Sequence, residues 1–209
     1  MDVQNMPKVV PMEEREWFVL FSICVAGKSA KQTQKKLNDL LIDMYEHTPY
    51  SLNQSAFDTI WWADKHGQLG EYLRKHKIGQ YKRIERAFSA VAELEVKTDL
   101  TVEKLEAIPG IGPKTARFIV LYTNPDANCV PLDTHILKYI KECYPDENVP
   151  KSTPSKGPKY DKYEKRFQAL AKLIGISVRE LDTAVWRYYS LGEPFTFDKY
   201  QAARIRDGN

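Results

Sequence analysis

The chain has 209 residues, of which 43% are hydrophobic and 28% charged, with a formal net charge of +3. That is enough apolar material for one large domain or two small lobes to bury a core without covalent staples. The three cysteines, Cys24, Cys129 and Cys143, are widely spaced, fit no C-x-x-C pattern and leave one over, which argues against a disulfide framework and a structural zinc site.

Apolar spacing is helical almost throughout, so the expected fold class is all-α. In "EEREWFVLFSICVAG" the residues Trp17, Leu20, Phe21 and Cys24 recur at helical steps, with Gly27 as a stop. Ser29 is placed to cap a second helix, whose inner face is Leu37, Leu40, Leu41 and Met44. "SAFDTIWWADKHG" and "LGEYLRKHKI" predict two short helices, and "YKRIERAFSAVAELEVK" predicts a longer one with Ile84, Phe88, Val91 and Leu94 inward. Thr101 opens "VEKLEAI", and "PGIGP" breaks it. Pro113 suits the first turn of the following helix, "KTARFIVLYT", because a helix start has no use for that N–H. "THILKYIKECY" is the next helix, followed by a loop rich in proline and lysine. "KYEKRFQALAKLIG" and "SVRELDTAVWRYYSLG" complete the set, and "FDKYQAARIRDGN" reads as a short helix or a frayed end.

The segment "LEAIPGIGPKTARFIV" is the most informative. Two helices joined by Pro-Gly-Ile-Gly form a helix-hairpin-helix, with Leu105, Ile108 and Ile111 available to pack it and glycines to permit positive φ. Successive amides at Gly110 and Gly112, beside a helix N-terminus, make a pocket for a phosphate oxygen, and Lys114 and Thr115 follow directly. Such a contact would be independent of base sequence. A plain glycine turn between two core helices is the alternative.

"LEAIPGIGPKTARFIV" followed by "VPLDTHILKYI" resembles the helix-hairpin-helix (HhH-GPD) DNA glycosylases, whose pattern is Leu-Pro-Gly-Val-Gly-x-Lys-Thr-Ala and then Val-Asp-Thr-His. By that resemblance Lys114 falls on the lysine of the bifunctional glycosylase/lyase branch and Asp133 on the general aspartate. It implies a single glycosylase domain over 1–209, with lobes 30–132 and 1–29 plus 133–209 and an active-site cleft between them. "IGQYKRIERAFSAV" and "VAGKSAKQTQKKL" resemble the family's approach to the hairpin and its N-terminal helix junction. At that junction Gly27 and Lys28 stand where several members carry a gap-filling Asn or Gln. The family's iron-sulfur loop needs four cysteines, and none follows Cys143. "VPKSTPSKGPKY" and "RELDTAVWRYYSLG" are most similar to the smaller 8-oxoguanine glycosylase-like members.

The implied chemistry explains these residue types. Breaking an N-glycosidic bond develops positive charge on the sugar, which a carboxylate such as Asp133 stabilises. A lysine amine has an ordinary pKa of about 10.4 and attacks only when neutral, a state favoured by a dehydrated site at a helix start. Each residue also has a plainer reading. Lys114 could be a solvated lysine, Asp133 a helix cap, His135 a structural side chain, and Lys151, Lys156, Lys159 and Lys162 a solvated loop. An extruded base needs an aromatic pocket. Trp186, Tyr188, Tyr189 and Phe195 are candidates, together with Lys28, although aromatic stripes at helical spacing are commonly core; of Trp61 and Trp62, one is expected in the core.

The leading expectation is a DNA glycosylase with abasic-site lyase activity, acting in base-excision repair on an oxidised purine such as 8-oxoguanine. A monofunctional glycosylase or a viral DNA base-modification enzyme on the same scaffold is an alternative, and a non-catalytic hairpin module that grips phosphate is another. The expected partner is double-stranded DNA containing a damaged base, with the protein a monomer. No cofactor is expected beyond Na+ or K+ held by hairpin carbonyls near Ile111. No apolar run reaches membrane-spanning length and the N-terminus lacks the order of a signal peptide, so no membrane partner is expected. The expected compartment is the cytoplasm, in association with the nucleoid, or the nucleus of a eukaryote.

Overall fold

The computed structural model describes residues 9–49, 55–195 and 197. Among them it is all-helical: a 3-10 turn at Met12–Glu14 and ten α-helices, with no strand. The helices are α1 (Arg15–Val25), α2 (Ala30–Tyr45), α3 (Ala56–Lys65), α4 (Leu69–Lys75), α5 (Tyr81–Val91), α6 (Val102–Glu106), α7 (Pro113–Thr123), α8 (Thr134–Cys143), α9 (Pro158–Ile174) and α10 (Val178–Leu191). No helix among the described residues is long and apolar enough to cross a membrane. All but the first residue of the expected C-terminal segment 197–209 lies outside the described residues.

The chain forms two compact units, Met1–Ile111 and Gly112–Asn209. α1 packs on α2, α3 and α5 within the first unit. The reason is its composition. Phe18 through Cys24 are all buried, so α1 is a central helix that needs cover on every side. Leu37, Leu40, Leu41 and Met44 of α2 are buried as the spacing predicts, and Ser29 caps the helix by accepting from Gln32 N. α5 is shorter than its pattern. It ends at Val91, the next amides turn back in tight steps, and Leu94 is half-buried while Val96 is buried instead. On the edge of this unit Asp43 of α2 accepts from Lys75 and His76 at the end of α4.

In the second unit α10 packs on α8 and α9, and α8 on α9. α9 begins four residues before its predicted start because Pro158 occupies the first helical position. Part of the predicted lysine loop is therefore helix. Lys162 and Arg166, both on α9, meet Glu147 at 2.9 and 2.7 Å, and Tyr163 donates to the Asn148 carbonyl at 2.7 Å. Ser177 starts α10 with a capping box closed by Glu180.

Candidate active site

Within the first unit, the hairpin turn is shaped by one glycine. Gly110 has φ +101°, a conformation that L side chains rarely adopt, and a Cβ there would lie 2.9 Å from the Arg83 carbonyl oxygen. Arg83 makes this close approach a clamp: Nη1 donates to the Gly110 carbonyl at 2.7 Å and Nη2 to the Ile23 carbonyl at 2.8 Å. Leu105, Ile108 and Ile111 are buried. Gly110→Ala is expected to lower stability by about 1–3 kcal/mol, measured by urea unfolding, because both the backbone conformation and the carbonyl contact resist a Cβ. The Gly110 carbonyl is engaged by Arg83 and the Ile108 carbonyl by the Ile111 amide. Among the described residues no group of three His, Cys, Asp or Glu side chains could hold a metal ion.

Within the second unit, the exposed Gly112 is the N-cap of α7, Pro113 its first residue, and Lys114 and Thr115 complete the first turn, both half-buried. Asp133 is the N-cap of α8, and its Oδ1 accepts from the Ile136 amide at 2.8 Å. The carboxylate thus performs the capping role read from sequence.

What leads into Asp133 is an irregular stretch, residues 128–132, in which the Leu132 amide turns back to the Val130 carbonyl at 2.9 Å and side chains supply further hydrogen bonds. Glu164 Oε1 accepts from the Val130 amide at 2.8 Å. Tyr160 Oη donates to the Val130 carbonyl at 2.8 Å and accepts from the Leu132 amide at 3.1 Å. Thr153 donates to the Leu132 carbonyl at 2.7 Å and Gln168 to the Asn128 carbonyl at 2.6 Å. The same Glu164 oxygen meets Arg117 Nε at 3.0 Å, and the Arg117 guanidinium lies 4.4 Å over the Tyr160 ring. One buried ion pair thereby ties α7, which carries Lys114, to α9 and to the segment that delivers Asp133.

A second carboxyl sits deeper. Asp182 of α10 is buried and accepts from Tyr122 Oη at 2.6 Å, and that hydroxyl also meets Thr183 Oγ1 at 3.0 Å. Burial pushes its carboxyl up to about 7, the hydrogen bond from Tyr122 opposes the rise, the charge of Asp133 adds to it and that of Lys114 opposes it.

Three of the aromatic candidates adjoin: Tyr188 meets Tyr189 edge-on at 4.9 Å and Phe195 in a stack. Tyr189 lies parallel to His135, with centroids 5.7 Å apart, and has the Lys138 ammonium 4.4 Å from its own ring centre. His135 Nε2 meets Ser190 Oγ at 3.1 Å. Tyr188 stacks on Phe195 at 4.6 Å, and Phe195 also meets Tyr139. Trp186 is half-buried on α10. In the first unit Lys28 donates to the Ile78 carbonyl at 2.7 Å, and its charged form is disfavoured chiefly by burial. Trp62 stacks on His66, while Trp61 is exposed, so neither is a core residue.

Sequence reasoning missed Asp182, Tyr122, Arg117, Tyr160 and Glu164. For Asp182 the signal was present: Val178, Leu181, Asp182 and Val185 follow the i, i+3, i+4, i+7 spacing of a buried face, and one of the four is a carboxylate. Compared with known proteins, the chain matches no family model, no curated protein and no solved structure.

Proposed function

We propose that the chain is a helix-hairpin-helix DNA glycosylase with abasic-site lyase activity, directed at an oxidised purine such as 8-oxoguanine. The observation that carries the reading is the placement of two groups: Lys114 stands in the first turn of α7, directly after the hairpin, and Asp133 is the N-cap of α8. Hairpin amides would hold a phosphate and bring the sugar to the lysine. The neutral Lys114 amine attacks C1′, a C–N bond forms, and the glycosidic bond breaks with the electron pair leaving on the base. Asp133 stabilises the positive charge on the sugar. The C1′–O4′ bond then breaks as the nitrogen forms a double bond to C1′, O4′ taking up a proton, and the Schiff base so formed acidifies C2′, whose proton is removed as the C3′–O bond breaks in β-elimination.

A second reading is favoured by one observation. The hydrogen bond from Asp133 to the Ile136 amide is a complete structural reason for that residue, as a non-catalytic phosphate-gripping hairpin would have it. Borohydride trapping on 8-oxoguanine and abasic duplexes separates the two. A covalent adduct is expected with wild type and none with Lys114→Gln. Failure of wild type to trap on any damaged or abasic duplex, with salt-sensitive binding retained, would leave the binding module.

A further inference from the structure

We propose that Lys28, Lys36 and the turn at residues 77–80 form a second site for a DNA backbone phosphate, tied to the hairpin by Arg83. This rests on the nucleic-acid part of the reading above, which the lyase and the binding module share. The contacts meet on one short segment of the first unit. Lys36 Nζ donates to the Lys77 carbonyl at 2.9 Å, Lys28 Nζ to the Ile78 carbonyl at 2.7 Å, and Arg83 Nε to Gln80 Oε1 at 2.6 Å. Arg83 also donates to the Gly110 and Ile23 carbonyls, so one guanidinium holds both the turn and the hairpin. Between the start of α2 and Ile78 lies a cavity of about 280 Å³, lined by Lys28, Ser29, Gln32, Thr33, Lys36 and Ile78. Gln32 and Lys36 on its rim are exposed.

The charge on this surface is unmatched. Elsewhere in the unit lysines meet carboxylates: Lys65 with Glu93, Lys75 with Asp43 and Lys104 with Asp99. Lys28, Lys36 and Arg83 make no ion pair among the described residues, and the acceptors they meet are neutral. Asp43, farther along α2, is taken by Lys75 and His76. A bond to a carbonyl fixes an ammonium without cancelling its charge, and it uses one of the three donors that a lysine carries.

Like charges held together repel. The Lys28 ammonium is disfavoured chiefly by burial, with Cys24 opposing and the charges of Arg83 and Lys36 adding to the effect. The turn is strained as well: Lys77 has φ +51° and Gln80 φ +47°, a region that side chains other than glycine seldom enter. A phosphodiester offers two unesterified oxygens and a negative charge to two ammonium groups. The link through Arg83 to the hairpin favours two phosphates of one DNA backbone over a free ion.

The test is binding of an undamaged duplex across a salt series, which needs no base release. Glutamine can still donate to a carbonyl, so Lys28→Gln combined with Lys36→Gln removes the charge and keeps a donor. This double variant is expected to bind about tenfold more weakly at about 0.1 M salt, with a slope of log K against log salt shallower by about 0.9, the value for one phosphate. Lys28→Arg combined with Lys36→Arg should keep the wild-type slope, as should Lys65→Gln, whose charge is already spent on Glu93. An unchanged slope in the double glutamine variant overturns the site. If that variant does not fold, amide NMR of the wild type decides: added duplex should shift Ser29, Gln32 and Gly79, and a bound duplex that leaves them unmoved overturns the proposal. Inorganic phosphate that shifts these amides where duplex does not would assign a free-anion site and equally overturn it. A wild type that binds no duplex sinks the nucleic-acid reading together with the site, whereas binding with an unchanged slope removes the site alone.

Discussion

Asp133→Asn is expected to leave the melting temperature and DNA affinity close to wild type while base release falls by about a hundredfold or more. The two halves of this result have different causes. Asparagine caps a helix about as well as aspartate, so the bond to the Ile136 amide and the start of α8 should survive the substitution. What is lost is the negative charge. If that charge stabilises the sugar in the transition state, removing it raises the barrier without disturbing the ground-state complex. Single-turnover base release on an 8-oxoguanine duplex, read beside a binding isotherm at fixed salt, measures both. Parallel loss of binding and release would mean that Asp133 serves the fold alone.

Arg117→Met is expected to destabilise the protein by about 3–5 kcal/mol, because it leaves the Glu164 carboxylate buried without its counter-charge. The side chains of this pair are only 11% and 13% exposed, so water offers little relief. Adding Glu164→Leu should recover part of the loss, since the stranded charge is then gone. It should not recover all of it: the Val130 amide loses its acceptor, and an unsatisfied buried donor costs about 1–3 kcal/mol. Urea unfolding of the two single variants and the double variant gives the coupling directly. Equal and additive losses would show that the ion pair does not hold the Asp133 segment to α7.

The helical periodicities were legible because each amphipathic face repeats locally, as on α2, and because caps such as Ser29, Asp133 and Ser177 lie next to the helices they start. The extent of α5 was less so. Its apolar pattern runs on to Leu94, but whether a chain continues as helix or turns in depends on what it meets, and here Val96 takes the buried place. Asp182 was readable as a carboxylate on an apolar face, yet its partner Tyr122 lies 60 residues earlier in the chain, at a distance no spacing rule spans.

By itself the sequence determined that this is a helical protein with a glycine hairpin opening onto a lysine, and with an aspartate positioned to start the helix that follows. Those features depend on neighbours a few residues apart. Only the tertiary structure decided that α1 is central to the first unit and that side chains of α9 hold the stretch before Asp133. It likewise decided that the Asp182 carboxyl is buried against the Tyr122 hydroxyl. Each of these joins segments distant in sequence, where burial and charge are set by packing rather than by local pattern.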